Sequence, residues 1–416
     1  METDVTPQPV QEPVESVDLV VSILADFDSD AIAKTYQELR ALPGPLRIAV
    51  LENDQRERAE PVSSGAAVRS EDQKNAVVFQ VSSPSAKPDG NPTGVSRLSE
   101  AYRSVFAAAA QLQARGCCVM ASKQESEKPG WIWQLAQPLF DKKVDLVLPH
   151  YARRKFEGLL NNSIVAPLMR ALYGKRVNNP MGPDIAVSQR LIQAMEARAG
   201  ANGNRRHPLA SLTSTALCEN LQVAEVHFGA RIYPPTDWTA MSSVLMDVLS
   251  PVFLDVERNA PCWQRARASA ALPSFGEPRH VAEDKSDLDV ARMIESFQLG
   301  NRELLEIWGL VLPPATLFDL RKLAHPPADR FRMSDELWVR IVYDFALAHR
   351  LGTISRDHLL RSLTPLYLGW AASYAQDLKD AGAASPEQSL ERLSLAYEAG
   401  KSYLVSRWRW PDRFNP

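Results

Sequence analysis

The sequence predicts an α/β fold in which a doubly wound, Rossmann-like, mostly parallel sheet is followed by a C-terminal all-α domain. Over residues 17–257, short apolar runs alternate with helical patterns, which is typical of parallel strands joined by right-handed crossovers. From about residue 288 the pattern is helical throughout. A chain of 416 residues also exceeds the usual size of one domain, so two domains are expected.

The chain divides into four predicted segments. Residues 1–16 carry four acids, three prolines and no Lys or Arg, so we expect a disordered tail there. Residues 17–257 are the predicted α/β domain, and residues 286–416 are the predicted helical domain. Residues 258–285 contain several prolines but no periodicity, which is typical of a linker.

The α/β domain opens with a strand, a helix and a second strand. Residues 17–24 form a β-branched apolar run, and Asp28 or Ser29 then caps a helix with one apolar face. Residues 46–51 form the next apolar run, and residues 76–81 a third between two polar loops. Because the first two strands are joined by a helix, we expect a right-handed crossover and a parallel pair.

A central buried strand is predicted at residues 116–120, where a short apolar run follows a long helical pattern. Ligands of open α/β sheets bind beyond the carboxyl ends of the strands, so the loop at residues 121–128 is expected to lie in or beside the site. We also predict strands at 144–148 and 222–228 and helices at 131–140, 164–173, 188–197, 209–220 and 238–256.

Two helices of the C-terminal domain have marked ends. Ser334 is a predicted N-cap, and Gly352 follows the last turn of the same helix. Residues 385–388, Ser-Pro-Glu-Gln, are a capping box with proline at the first helical position, and they predict the start of the final helix.

Composition excludes some classes of protein. A net charge of −3 and a pI near 6.2 give no overall electrostatic reason to bind nucleic acid or an anionic membrane. No apolar run reaches the ~20 residues of a membrane span, and the start lacks a basic region followed by an apolar core. We therefore expect a cytoplasmic protein without a membrane partner.

The four cysteines are Cys117, Cys118, Cys218 and Cys262, and they show no CxxC spacing. The seven histidines show no metal-ligand spacing either, so zinc is not indicated. We expect the cysteines to be small buried hydrophobes in a reducing compartment, without a disulfide.

An acidic motif follows the first predicted strand. Asp26 and Asp28 could hold Mg²⁺, or act as nucleophile and acid in a haloacid-dehalogenase-type phosphatase. Such a site needs a later acidic pair, and the sequence offers no convincing one. Acids at a helix N-terminus also complement the helix dipole without any catalytic role.

A basic stretch with a single acid, Glu157, follows the strand predicted at 144–148. Guanidinium groups bind phosphates and carboxylates through paired hydrogen bonds, although a solvated face has the same composition. Asp184 ends the later loop at residues 178–184, where it is either a functional carboxylate or a turn residue. The basic residues are His150, Arg153, Arg154, Lys155, Arg170, Lys175 and Arg176.

Several of these segments together resemble the glucosylglycerate and mannosylglycerate synthase group of GT-A glycosyltransferases. The matching residues are PHYARRKFEG at 149–158, Asn162, PLMRALYG at 167–174 and PMGPD at 180–184. The helical domain is similar to the helical extension of those synthases at residues 337–338, 343–346, 363–369 and 401–404. The resemblance runs from about residue 17 to the C-terminus.

The resemblance implies retaining hexosyl transfer from a nucleotide-sugar to glycerate or phosphoglycerate, with Mg²⁺ or Mn²⁺ on the donor diphosphate and a homodimer as a possible assembly. It places Asp184 near the transfer centre. It assigns the acceptor side and catalytic loop to Arg153, Arg154, Glu157, Asn162, Arg170 and Gly182, with Glu157 standing where relatives carry Asp.

The chain departs from the family at the metal ligands. The two aspartates of the family Asp-x-Asp motif fall on Ala121 and Lys123, and the family histidine falls on Tyr233. Mg²⁺ and Mn²⁺ need hard oxygen ligands, so no metal is expected here. If the protein is active, Lys123 would place a cation where the metal sits in relatives. Alternatively, the chain is a degenerate glycosyltransferase that serves as a binding or regulatory subunit.

The phosphatase hypothesis has a direct test. We expect no Mg²⁺-dependent phosphatase activity that requires Asp28, because the second acidic pair is missing. Hydrolysis of p-nitrophenyl phosphate by the wild type and by Asp28→Asn measures this. An activity that is present in the wild type and abolished by Asp28→Asn, but kept in Asp30→Asn, would support the phosphatase and contradict our expectation.

Overall fold

The computed structural model describes most of the two predicted domains. The predicted tail, Asp26, Asp28, Lys123 and Tyr233 lie outside the described residues. The described residues are 17–24, 29–42, 44–52, 76–82, 94–121, 130–200, 207–231, 236–267, 269–279, 281, 287–325, 327–379 and 385–411.

The strands form one large sheet and one small pair. The strands are β1 Leu19–Ile23, β2 Arg47–Glu52, β3 Val77–Ser82, β4 Gly116–Met120, β5 Leu146–Ala152, β6 Lys175–Arg176, β7 Ile185–Ser188, β8 Val223–Ala230, β9 Ala270–Ala271 and β10 Ser274–Phe275.

The helices surround the sheet and build the C-terminal domain. They are α1 Ser29–Arg40, α2 Gly94–Gln111, α3 Trp131–Asp141, α4 Ala166–Tyr173, α5 Gln189–Gly200, α6 Pro208–Cys218, α7 Met241–Arg258, α8 Ala260–Trp263, α9 Val290–Glu303, α10 Leu305–Gly309, α11 Pro314–Leu323, α12 Asp335–Leu351, α13 Arg356–Asp377 and α14 Pro386–Arg409. A π-helical turn at Asn161–Val165 leads into α4, and 3₁₀ turns lie at Trp238–Ala240 and Ala328–Arg330.

The large sheet has eight strands in the order β10-β8-β5-β7-β4-β1-β2-β3. Strand β1 pairs in parallel with both β2 and β4, with Leu19 opposite Ile48 on one side and Gly116 on the other. The chain therefore builds outward to β3 and then returns to the other side of β1, so the strand order reverses between β1 and β4. The predicted doubly wound, mostly parallel sheet is confirmed.

One strand runs against the others. Strand β7 lies between β4 and β5 and is antiparallel to both, with Val187 opposite Cys117 and Leu146. This strand is not predicted from the sequence, because four residues between a loop and a helix carry too little periodicity to identify a strand. The strand forms because it fills the gap between two buried neighbours, which satisfy its backbone hydrogen bonds.

Both faces of the sheet are covered, and β4 shows why its sequence is uniformly apolar. All five of its residues are buried. Cys117 and Val119 point into the larger core, which continues into the helical domain, while Cys118 and Met120 point into a smaller core on the other face. A strand between two helical layers has no solvent face, so it carries no polar alternation.

The helical domain has the ends that the sequence predicts. The Ser334 hydroxyl accepts the Leu337 N–H at 3.2 Å, and Gly352 ends α12 in the left-handed conformation at φ 65°. The capping box at Ser385 is formed, with its side chain and that of Gln388 bonded reciprocally to the backbone. Helices α9 and α13 approach closely because Gly300 faces Pro365, where a Cβ atom would lie 2.6 Å from the proline ring.

Residues 258–285, predicted as a linker, contain α8, β9 and β10, and β10 extends the large sheet beside β8. The preceding helical segment Trp238–Arg258 has a mean hydropathy of 1.4 and is long and apolar enough to cross a membrane by length and composition alone. The expectation that no segment reaches this length is therefore wrong. Core helices have the same composition, and Leu245, Leu249 and Phe253 of this segment are fully buried.

The cysteine prediction is wrong for one pair. Cys218 at the end of α6 and Cys262 in α8 form a disulfide with their Cα atoms 5.8 Å apart. Their separation of 44 residues carries no sequence signal, because only the folded chain brings α6 and α8 together. Cys117 and Cys118 are free and buried, as expected, and burial raises the pKa of both thiols. Disulfides persist in oxidising compartments, so this bond removes the cysteine-based support for a reducing one.

Thiol labelling tests the disulfide. In denaturant without reductant we expect two alkylated cysteines per chain, and four after reduction, measured by intact mass. Cys218→Ser should lower the free energy of unfolding by about 2–4 kcal/mol, and the double variant with Cys262→Ser should lose no more than the single one. Four labelled cysteines without reductant would contradict the bond.

Candidate functional site

The carboxyl ends of the parallel strands gather the predicted site residues at one edge of the sheet. Strands β4, β5 and β8 end there, at Met120, Ala152 and Ala230. Because β7 runs in the opposite direction, it begins at this edge. Asp184 directly precedes β7, so it lies between the ends of β4 and β5.

The Asp184 carboxylate is fully buried and joins three strands. Its Oδ1 accepts the backbone N–H of Ala121 at 2.7 Å, and its Oδ2 accepts the hydroxyl of Tyr151. The hydroxyl of Tyr102 donates to the Pro183 carbonyl just before it. Burial, and then the charge of Asp184, raises the pKa of Tyr102 well above its ordinary value, so this phenol remains a donor.

The metal ligands implied by the resemblance can be tested only at Ala121. Its side chain offers no oxygen, and its backbone N–H points at Asp184. Within the described ranges, no group of three or more His, Cys, Asp and Glu residues could hold a metal ion. Ala121 therefore supplies no side-chain ligand to a divalent cation. For Lys123 and Tyr233 the loss of the ligands stays a prediction.

Arg153 holds two segments of the site together. Its Nη1 donates to Asn162 Oδ1 at 2.6 Å and its Nη2 to Asn179 Oδ1 at 2.9 Å. Gly158 makes this possible: it has φ 65°, and a Cβ atom there would lie 2.7 Å from the Arg153 Nη1. Of the predicted substrate-binding residues, the structure thus brings Arg153 and Asn162 into contact.

Gly182 and Asn179 form the turn that leads to Asp184. The Gly182 N–H donates to the Asn179 carbonyl at 2.9 Å, and a Cβ atom on Gly182 would lie 2.7 Å from Asn179 Nδ2. That nitrogen is buried and has no hydrogen-bond partner among the described residues. The glycine therefore leaves the space that the amide of Asn179 occupies.

Glu225 is a buried residue of this site that the sequence analysis missed. Its carboxylate accepts the backbone N–H and the side-chain amide of Asn178, both at 2.7 Å. Burial raises its pKa, and the two donors and Arg153 oppose that shift. The available signal was a single acid inside the apolar strand β8, since a buried charge needs a partner.

Arg154 and Arg170 are both paired within the chain. Arg154 donates its backbone N–H and its Nη1 to Glu157, each at 2.9 Å. Arg170 is 5% exposed, and its guanidinium grips Glu391 of α14 with two bonds of 2.6 and 2.9 Å and also contacts Glu398. Burial alone would lower the pKa of Arg170, but these carboxylates raise it. The arginine predicted to bind substrate thus joins α4 to the C-terminal helix.

Two histidine rings contact each other near the ends of β5 and β8. The rings of His150 and His227 lie 4.7 Å apart between centroids, because these residues are register partners in neighbouring strands. Strand β5 extends to Ala152 through this pairing, so His150 belongs to the strand, which was predicted to end at residue 148. Burial lowers the pKa of His150 to about 4, with His227 and Arg153 contributing.

A groove away from this edge of the sheet lies among the described residues. It has a volume of about 510 Å³ and is bounded by residues 264–267 and α14. Lys401 on its wall donates to the carbonyls of Leu172 and Ala266 at 2.8 and 2.6 Å.

The segments that follow the first four strands at the carboxyl edge, 25–28, 53–75, 83–93 and 122–129, lie outside the described residues.

The doubly wound sheet with its single antiparallel strand β7, followed by the helical domain, defines a GT-A-like α/β fold. No family model and no curated protein matches the chain. Solved structures that match include glucosyl-3-phosphoglycerate synthase from Mycobacterium tuberculosis in complex with phosphoglyceric acid, at 16% identity and a TM-score of 0.38 over 58% of this chain and 80% of that chain. Another is mannosyl-3-phosphoglycerate synthase from Rubrobacter xylanophilus, at 14% identity and a TM-score of 0.34 over 59% of this chain and 75% of that chain.

The histidine pair predicts a pH dependence. Unfolded His150 binds a proton below its ordinary pKa of 6.5, whereas the folded residue does so only near pH 4. The unfolded state therefore binds more protons between these values, so stability should fall as the pH drops through that window. NMR titration of the His150 ring measures the pKa, and His150→Gln should reduce the slope of stability against pH. A ring that titrates near 6.5 would contradict the shift.

Proposed function

We propose that this protein is a GT-A-type glycosyltransferase that binds a nucleotide-diphospho-sugar between the ends of β1 and β4. The observation that carries the proposal is the reversal of strand order between these strands. Ligands of open α/β sheets bind outside the carboxyl ends at such a switch point. Asp184 is bonded to Ala121, the first residue after β4, and so lies beside that crevice.

The proposed acceptor is a small carboxylate such as glycerate or phosphoglycerate. Arg153 uses two of its N–H groups on Asn162 and Asn179. A guanidinium has five donors, so it keeps others for the oxygens of a ligand. Arg154, oriented by Glu157, and Gly182 complete the proposed acceptor side. A role for Arg170 in substrate binding would require its ion pairs with α14 to open.

Asp184 and Lys123 have different proposed roles in transfer. Both oxygens of Asp184 already accept hydrogen bonds, so it is suited to stabilise positive charge at the anomeric carbon and not to take up a proton. Lys123 supplies a point charge to the departing nucleotide diphosphate. No step passes through a metal ion.

A second candidate is a degenerate glycosyltransferase that binds a donor or a partner chain without turnover. The observation that favours it is the internal pairing of polar groups that the resemblance assigns to substrates: Arg170 is held by Glu391 and Glu398, and Asp184 by Ala121 and Tyr151. The phosphatase hypothesis depends on Asp26 and Asp28, which lie outside the described residues, and we keep it only as the less favoured alternative. A cytoplasmic location and a homodimer stay predictions.

Donor binding and turnover separate the candidates. The melting temperature should rise with the concentration of the UDP- or GDP-sugar. At a hundredfold excess over Kd, the free energy of unfolding should increase by about 2.7 kcal/mol. Transfer to glycerate or phosphoglycerate should persist in EDTA, and Lys123→Ala should lower kcat by roughly 10²–10³, as loss of one charge-stabilising donor does. Lys142→Ala, on an exposed lysine after α3, is the matched control.

Each outcome has one meaning. Donor binding with turnover in EDTA supports the metal-free transferase and refutes the degenerate subunit. Donor binding without turnover refutes the transferase. A strict requirement for Mn²⁺ overturns the metal-free mechanism, and no shift with any donor overturns both the transferase and the donor-binding form of the degenerate glycosyltransferase.

A further inference from the structure

The segment between β5 and α4 is held from behind by the helical domain. This segment, residues 153–163, carries Arg153 and Asn162 of the candidate site. The indole N–H of Trp338 and the hydroxyl of Tyr397 both donate to the Ser163 carbonyl, at 3.1 and 2.8 Å. The hydroxyl of Tyr374 donates to the Lys155 carbonyl at 3.2 Å. Three aromatic donors from one domain therefore fix the backbone of the other.

Two of these donors are the ends of a single aromatic row. Trp338 stacks on Trp370 with centroids 5.9 Å apart and planes at 25°, and Trp370 stacks on Tyr374 at 5.4 Å and 14°. All three side chains are buried. Buried stacked rings keep fixed orientations, so the row sets the distance between the donors that bind Ser163 and Lys155.

The other side of the same segment carries the polar contacts of the site. Ser163 lies in the π-helical turn Asn161–Val165, a rare geometry that occurs often at functional sites. Its neighbour Asn162 accepts Arg153 at 2.6 Å, and Asn161 Nδ2 donates to the Asn178 carbonyl at 2.8 Å. A shift of Ser163 would therefore displace the two asparagines that bind Arg153 and the loop before Asp184.

Loss of these hydrogen bonds would be energetically costly, because the donors and the acceptor are buried. Trp338, Tyr397 and Ser163 are fully buried. A buried N–H or O–H that loses its acceptor finds no water to replace it, so each donor is satisfied only while the π-helical turn stays in place. A carbonyl oxygen has two lone pairs, which lets Ser163 accept both donors.

We infer that Trp338, Tyr374 and Tyr397 are positioning residues, through which the helical domain fixes the conformation of residues 155–163 and thereby orients Arg153 and Asn162 at the sheet edge. This placement holds whatever the reaction is. Its consequence for acceptor binding rests on the proposed function, since a displacement of this segment would weaken the binding only of a ligand that contacts Arg153.

Hydrogen exchange in the intact chain tests the placement. Tyr397→Phe removes only the hydroxyl donor, whereas Trp338→Phe removes the N–H donor and also replaces the indole with a smaller phenyl ring, a change that the control Trp308→Phe reproduces. We expect amide exchange at Asn162 and Gly182 to rise roughly tenfold more than the change in global stability accounts for. The matched controls are Trp308→Phe, whose N–H bonds the Ser362 carbonyl at 2.9 Å, and Tyr403→Phe, whose hydroxyl bonds the Asp344 carboxylate at 2.9 Å within the helical domain.

The controls decide between positioning and general stability. If exchange at Asn162 and Gly182 follows global stability alike in both sets of variants, the inference is overturned. If the other variants fail to fold, Tyr374→Phe gives the same comparison at the Lys155 end of the segment. There we expect faster exchange of the Glu157 amide, whose N–H bonds the Arg154 carbonyl at 3.1 Å.

A kinetic arm separates this inference from the proposed function. In an active enzyme, Trp338→Phe and Tyr397→Phe should raise the acceptor KM roughly tenfold and leave donor binding unchanged. An unchanged acceptor KM beside faster local exchange would overturn the link between Arg153 and the acceptor but keep the positioning role. If no transfer occurs at all, the proposed function fails, and hydrogen exchange still decides the placement.

Discussion

The architecture of the site depends on the hydrogen bonds that the buried carboxylate of Asp184 accepts. A fully buried acid must have hydrogen-bond partners, and here the partners come from the end of β4 and from β5. Satisfying one side chain thus requires β7 to lie between these strands with its first residue at the carboxyl edge. The same bonds occupy the carboxylate, which limits the chemistry that it can perform.

A second buried charge extends this logic to the helical domain. Arg170 reaches Glu391 and Glu398 on α14, and Lys401 of the same helix bonds the Leu172 carbonyl of the α/β domain and the Ala266 carbonyl of the segment that follows it. The Arg170 side chain is 6% exposed whereas that of Glu391 is 47% exposed, so loss of the carboxylates would leave an uncompensated buried charge at this interface. The two domains therefore act as one unit behind the candidate site, and the aromatic donors to Ser163 belong to the same interface.

Much of the fold follows from local patterns, and most of the site does not. The strands near residues 19, 47, 77 and 116 and the caps at Ser334 and Ser385 lie where spacing and residue type place them. The short strands β7 and β10 were not predicted. They form because they pair with neighbouring strands of the sheet, and their own sequences carry no strand periodicity. Sequence motifs located Arg153, Asn162 and Asp184, but not Glu225 or His227, whose partners are Asn178 and His150.

The sequence alone determined the alternation of strands and helices, the capped helical domain and the candidate residues, because each depends on side chains a few positions apart. Tertiary structure decided which of those residues are free to meet a ligand. Arg170 and Glu391 are 221 residues apart, and Cys218 and Cys262 are separated by 44. A buried charge, donor or thiol takes its partner from whichever remote segment the fold brings close, and no local pattern encodes that choice.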